Sequence, residues 1–289
     1  MKSPAPAPVL TEHAWLPRTS CDASCVSLHG EPASSRLRVA ARVALRVIAL
    51  LLVAPTFPLL GLPVPGQIRI QRIYCRLMHL CFGVRITVTG SPIRNLRGVL
   101  VVSGHTSWLD IFVISSLLPG SFVARADMFA GFVTGIIARI GKIIPIERTN
   151  LRQLPEVVDA AASRLRAGHT VVCFPEGTTW CGVASGEFYP AMFQAAIDAG
   201  RPVQPLRLTY HHTDGSLSTA PAFVGHDTLL QAVIRVLTVR RTVARVHVES
   251  LQLPGTDRRA LARRCQAAVG VGSPRHSQRQ PSSGHMLVA

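Results

Sequence analysis

A histidine and an aspartate five positions apart, His105 and Asp110 in the segment SGHTSWLD, are the residue types that a proton-transfer site requires. Neutral imidazole is suited to removing a proton near neutral pH. A carboxylate on its other ring nitrogen fixes the tautomer and stabilises the imidazolium that forms. On one ideal helix the two residues would lie about 140° apart. The apolar run 98–102 before them, and the glycine and hydroxyls between, predict instead a strand, a tight loop and a helix start. His105 then sits on the turn, and Asp110 in the helix's first turns reaches back to it. A lone His/Asp pair at this spacing is more often a satisfied hydrogen bond than a catalytic couple, so other polar loops must decide.

A second such loop follows the apolar run 171–174, where Phe174 leads into Pro175, Glu176, Gly177, Thr178 and Thr179. Polar loops at strand ends line the ligand crevice of open α/β sheets. Glycine permits close backbone approach, the hydroxyls can bond phosphate or sugar-like oxygens, and Glu176 can position a hydroxyl or brace a cation. A capped turn would account for Gly177 and Thr178 but not for the carboxylate. In GKIIPIER, residues 141–148, a strand delivers Arg148 to its end. The planar guanidinium suits phosphate, and a surface ion pair with Glu147 or Glu156 is the alternative. Ser107 lacks the G-x-S-x-G elbow of a serine hydrolase.

Taken in order, His105 with Asp110, Gly141 to Arg148, Phe174 to Thr178 and the string Pro202-Val203-Gln204-Pro205 resemble the four blocks of PlsC-like glycerolipid acyltransferases. The resemblance covers roughly residues 85–225 and rests chiefly on FPEGT with an upstream H-x4-D. It implies that His105 is the general base and Asp110 its orienter. It further implies that Arg148, Glu176 and Gly177 contact the acceptor's phosphate and glycerol, with Thr178 in the same loop, and that Pro205 belongs to the acyl-donor side. The implied reaction moves an acyl chain from acyl-CoA or acyl-carrier protein to a lysophospholipid hydroxyl. It needs no acyl-enzyme, no metal and no bound redox cofactor. Gly104 and Pro145 depart from the family pattern, which bears on acceptor preference. Lysophosphatidic acid is the leading acceptor, because a phosphate monoester gives Arg148 a bidentate partner. The VQPLRLTY run is also similar to acylators of lyso-ornithine lipid, and a silent lipid-binding protein is the alternative outside enzymes.

These residues need a scaffold, and β-rich apolar runs at 86–88, 99–102, 122–124, 143–146, 171–174, 203–210 and 243–248 alternate with helical stretches. That order predicts an α/β domain over 83–270, a mixed sheet flanked by helices. One helix runs from Leu151 or, given Pro155, from Leu154, with Asn150 as N-cap and Gly168 as stop. Others are expected at 191–199 and 257–269.

Upstream, residues 36–82 read as a membrane-associating helical element. Arginines at 36, 38, 42 and 46 precede an uncharged run, 47–62, interrupted by Pro55 and Pro58. Sixteen residues make about 24 Å of helix, short of the roughly 30 Å hydrocarbon core, so insertion is expected rather than a span. The arginines would meet anionic headgroups. In a helix over 68–81, Arg72 and Arg76 define a polar face and Ile73, Leu77 and Leu80 an apolar one. Residues 1–35 and 271–289 are polar and proline-containing, a composition that predicts disordered tails.

The net charge of +16 points to anionic partners such as a membrane surface. The arginines are dispersed without interleaved aromatics, which argues against nucleic acid. Seven cysteines, without a CxxC pair or a mixed Cys/His cluster, fit a reducing compartment, and no export signal is apparent. The cytoplasmic face of the cell membrane is the expected location.

Overall fold

The computed structural model describes residues 16–27, 35–92, 97–148, 150–225 and 227–270. In chain order its elements are α1 (Arg36–Val53), α2 (Gln67–Phe82), β1 (Val84–Gly90), β2 (Leu100–Ser103), α3 (Leu109–Leu117), β3 (Ser121–Arg125), α4 (Phe132–Ile140), β4 (Ile144–Ile146), α5 (Leu154–Arg166), β5 (Val171–Cys173), α6 (Phe193–Asp198), β6 (Val203–His211), α7 (Leu229–Thr238), β7 (Thr242–Val248) and α8 (Arg258–Gly270). Each of the seven apolar runs expected to be a strand is one. They form one mixed sheet in the order β1-β7-β6-β2-β5-β3-β4, parallel throughout except between β6 and β7.

The centre of that sheet is dry. Leu100, Val101 and Val102 of β2 are fully buried, as a parallel strand covered on both faces must be. Alternation along the strand sends Val101 to a core shared with α2 and α3, and Leu100 and Val102 to a core shared with α5, α6 and α8. The connection leaving β2 therefore packs on one face, and the connection leaving its neighbour β5 on the other. The loops at the carboxyl ends of these two strands meet where the connections diverge, which is where open α/β sheets hold ligands.

Helix α5 starts at Leu154 with Pro155 in its first turn. Asn150 caps a preceding 3-10 turn by accepting from the Arg152 amide at 3.2 Å, and Gly168 ends the unit at φ +85°.

The N-terminal helices correct three expectations. Helix α1 ends at Val53, ahead of Pro55, but the path continues as a 3-10 helix over Ala54–Gly61 with Pro58 inside it. The helical stretch Arg36–Gly61 is thus 26 residues, long and apolar enough to cross a membrane by length and composition. Arg46 is not a headgroup ligand. It is buried and donates to the carbonyls of Val236, Leu237, Val239 and Arg240 at 2.7–3.3 Å, beyond and within the last turn of α7. Gly83 makes room for it, since a Cβ there would lie 1.8 Å from the guanidinium.

On α2 the inward face carries Tyr74, Cys75, Met78 and Phe82, while Ile73, Leu77 and Leu80 are exposed. Apolar periodicity identifies an apolar stripe but not the medium that covers it.

The tail expectation also changes. Residues 16–27 pack on the domain: Cys21 is buried, and the Ser27 amide donates to Thr219 Oγ1 at 2.8 Å. Residues 1–15, 28–34 and 271–289 lie outside the described residues.

Candidate active site

His105 follows β2 on the loop, and Asp110 lies in the first turn of α3, as the spacing predicts. Their side chains meet, His105 Nδ1 to Asp110 Oδ2, at 2.8 Å. Asp110 is fully buried, and His105 retains 18% side-chain exposure. A buried carboxylate must have its lone pairs filled. Here Oδ2 also accepts from the amides of Thr106 at 2.8 Å and Ser107 at 3.0 Å, and Oδ1 accepts from Tyr210 Oη at 2.6 Å. With Nδ1–H held by the carboxylate, Nε2 is the basic nitrogen left for a substrate proton. The imidazole stacks on Phe174, with ring centroids 3.9 Å apart and planes 10° from parallel.

Glu176 joins the two loops. Its Oε2 accepts from the His105 amide at 2.8 Å and its Oε1 from the Gly186 amide at 2.9 Å. Burial pushes its carboxyl up to about 7, against those two amide bonds. Each oxygen accepts one backbone amide, so Glu176 shapes the turn that presents His105 while keeping lone pairs for a further donor. Gly177 adopts φ +70°, and a Cβ there would lie 2.5 Å from Pro17, so residue 17 sits directly on this loop. Thr178 is half-buried in the same loop. A small cavity of about 60 Å³ beside His105 is lined by Glu176, Trp180, Arg207, Thr209 and Gln266 among others.

Arg148 and Pro205 are not brought into this cluster. Strand β4 ends at Ile146, so Arg148 lies in a turn two residues beyond it, and alternation along the strand no longer separates it from Glu147. It is half-buried near Arg125 and Asp127 at the carboxyl end of β3; burial and the Arg125 charge push its guanidinium down to about 10, with Asp127 opposing. Arg125 binds Asp127 through Nε, at 2.9 Å, and through Nη2. Strands β2, β5, β3 and β4 run parallel, so this basic cluster shares the sheet edge that carries His105 and Glu176. The end of β3 is two strand spacings, about 10 Å, from that of β2. Pro205 is buried inside β6 opposite Val102, where it shapes the strand that leads to Arg207 and Tyr210.

Tyr210 and Arg125 are the functional candidates that sequence reasoning missed. Tyr210 ends the VQPLRLTY run but is 100 positions from its partner, and Arg125 ends an apolar strand in the manner of Arg148.

The fold is an α/β sheet that presents a carboxylate-held imidazole at its strand ends, an arrangement compatible with proton transfer. Comparison with known proteins narrows it. The profile of the family described as Acyltransferase matches residues 85–209. A 1-acyl-sn-glycerol-3-phosphate acyltransferase of Neisseria meningitidis serogroup B is 35% identical over 148 residues, 50% of this chain and 58% of that protein. The chain thus spans little more than half of that relative's length. A lyso-ornithine lipid O-acyltransferase of Pseudomonas aeruginosa is 31% identical over 211 residues, 70% of this chain and 80% of that one. The crystal structure of PlsC, a 1-acyl-sn-glycerophosphate acyltransferase from Thermotoga maritima, superimposes with a TM-score of 0.59 over 82% of this chain and 97% of that chain, a likeness of fold at 17% identity. The chain belongs to the PlsC-like acyltransferase family.

Proposed function

We propose that this protein transfers an acyl chain from a thioester donor, acyl-CoA or acyl-carrier protein, to the free hydroxyl of a lysophospholipid, with lysophosphatidic acid as the acceptor. The observation that carries the reaction is the fourfold-bonded Asp110 holding His105 Nδ1. His105 Nε2 takes the acceptor's hydroxyl proton as the oxygen attacks the thioester carbonyl, and Asp110 stabilises the imidazolium. The tetrahedral adduct collapses with departure of the thiolate, which receives the proton from His105.

The acceptor assignment rests on charge. Two guanidinia, Arg125 and Arg148, lie close enough to Asp127 to influence its charge at the same sheet edge, and a pair of guanidinia suits a phosphate. A second reading, lyso-ornithine lipid as acceptor, is favoured by the longer match to the Pseudomonas relative. Helices α1 and α2 would bring the site to its substrate. Leu45, Ile48, Leu51 and Leu52 of α1 and Ile73, Leu77 and Leu80 of α2 are exposed and apolar, a surface fitted to insertion into the cytoplasmic leaflet. Arg36, Arg38 and Arg42, in the first turns of α1, would meet anionic headgroups.

The test is a radiolabelled thioester-donor assay against a panel of lyso-lipids, with the His105→Ala protein as control. Turnover of lysophosphatidic acid that vanishes in the control supports the reading. Turnover of lyso-ornithine lipid alone replaces the acceptor, and turnover of neither by the native chain removes the function.

A further inference from the structure

The third and smallest core of the protein contains three thiols that the acyl-transfer chemistry does not use. Cys25 closes a short 3-10 turn, Ala23–Cys25, in the N-terminal segment, Cys21 precedes that turn, and Cys181 follows the FPEGT loop 160 positions away from Cys21. Their sulfurs all lie within 4.8 Å of one another. All three are free thiols, Cys21 and Cys181 buried and Cys25 half-buried.

Three features distinguish this group from cysteines that merely fill a core. The spacing Cys21-x3-Cys25 falls within the range of paired zinc ligands, which span two to four intervening residues. The backbone is also turned toward the sulfurs. The Cys181 amide donates to Cys21 Sγ at 3.4 Å, and the amides of Val183 and Ala184 donate to Cys181 Sγ, the chain turning at Gly182 with φ +87°. Amide N–H groups aimed at a sulfur stabilise thiolate rather than thiol. Finally, the distances need little adjustment. Thiolates at about 2.3 Å around a tetrahedral zinc are about 3.8 Å apart, so closing the triangle takes at most about 1 Å.

Three thiolates gathered this closely would repel one another unless a cation lay between them.

We propose that Cys21, Cys25 and Cys181 bind one soft divalent cation of the zinc class, and that the bound ion clasps residues 16–27 across the FPEGT loop. Three thiol protons leave to solvent as the ion binds, and water on the half-buried Cys25 side fills the fourth tetrahedral position. The clasp has a direct route to the catalytic loops. Pro17 rests on Gly177, the Trp180 amide donates to the His105 carbonyl at 2.8 Å, and Cys181 is the next residue. The ion itself takes no part in acyl transfer.

The full-length protein, purified in detergent with reductant and without chelator, is assayed for zinc by elemental mass spectrometry and, after cobalt exchange, by absorption spectroscopy. The expected result is about one zinc per chain, with the intense visible bands and thiolate charge-transfer absorption of tetrahedral cobalt. Cys25→Ser and Cys181→Ser should each lose the metal, and Cys265→Ala should keep it. Cys25→His, which replaces one zinc ligand by another, should keep the metal and guards against misfolding as the cause of loss. Removing the ion should speed tryptic cleavage after Arg18. Failure of the native protein to take up zinc or cobalt overturns the proposal, as does metal retained by both serine variants. A Cys21–Cys181 disulfide in place of the metal overturns it equally. Unchanged cleavage at Arg18 after metal removal overturns the clasp.

Discussion

Tyr210, on β6, donates its phenolic proton to Asp110 Oδ1 across 2.6 Å, and both side chains are buried. Burial, reinforced by the adjacent carboxylate, holds the phenol well above its ordinary pKa, so Tyr210 stays a donor throughout the working range. It therefore positions the orienter rather than touching substrate. Tyr210→Phe leaves one buried carboxylate oxygen unpaired, a loss of about 1–3 kcal/mol in stability. Its kcat should fall clearly less than in the His105→Ala protein while KM for both substrates stays near native. Denaturant melts and steady-state kinetics on the same preparation check this, and a kcat equal to that of His105→Ala would make Tyr210 more than a positioning residue.

His105→Ala removes the proposed base, and turnover should fall by about 10² to 10⁴. Asp110→Asn is expected to be worse for stability than for proton affinity alone. An amide can still accept from some of the three donors to Asp110 Oδ2, but its NH2 meets a donor at one of the two oxygens. The discriminating measurement is a thermal melt beside the rate: His105→Ala should melt near the native temperature and Asp110→Asn lower.

Glu176 gives stability a pH dependence of calculable sign. Its carboxyl titrates near 7 when folded and near 4.5 when not, so between those values the folded state binds more protons than the unfolded one. Stability from this group is complete below about 4.5 and declines as pH rises through 7. Glu176→Gln cannot titrate, and its unfolding midpoint should vary less across that window than the native one. Parallel pH profiles for the two proteins would show that the amide bonds to His105 and Gly186 keep Glu176 ionised.

Arg148 and Arg125 together should govern acceptor affinity. Hydrogen bonds to charged groups contribute about 1.5–3 kcal/mol, so Arg148→Ala should raise KM for lysophosphatidic acid by about ten- to a hundredfold. KM for the thioester should barely move. Arg125→Ala should behave alike and Arg148→Lys should recover part of the loss, because the charge returns without the fork. Unchanged acceptor KM in both alanine variants would detach the basic cluster from the acceptor.

What could be read in advance followed from local chemistry. Each strand is an apolar run bounded by turn residues, and His105 with Asp110 lies within one loop-helix junction. The relationships that were not legible join distant stretches: the contacts of Tyr210 with Asp110 and of Cys21 with Cys181, and the charge of Arg125 acting on Arg148. Residues 16–27 read as tail because composition measures average burial, whereas Cys21 and Pro17 make specific contacts that composition does not report. Glu176 carries a carboxylate suited to substrate, and each of its oxygens also accepts an amide that only the fold brings to it.

Helix α1 has two faces with separable duties, and the last prediction tests that separation. Arg46 faces inward, where its guanidinium satisfies four carbonyls at the end of α7. Leu51 and Leu52, 68% and 73% exposed, face outward, uncovered by anything among the described residues. Deleting 1–82 would not test membrane docking cleanly, since it also strips Tyr74, Met78 and Phe82 from the core. Point substitutions do. Arg46→Met leaves those carbonyls without their donor and should lower stability by several kcal/mol with membrane binding retained by whatever remains folded. Leu51→Ser with Leu52→Ser removes apolar surface that the proposed docking would bury in lipid, about 1.5–3 kcal/mol of transfer energy for each leucine. Liposome flotation should show the double variant partitioning at least tenfold more weakly, with its unfolding temperature in detergent unchanged. Activity on acceptor in vesicles should fall with it, and activity on acceptor in detergent micelles should not. If the double variant floats as the native protein does, the outward face of α1 is not what holds the enzyme to the bilayer.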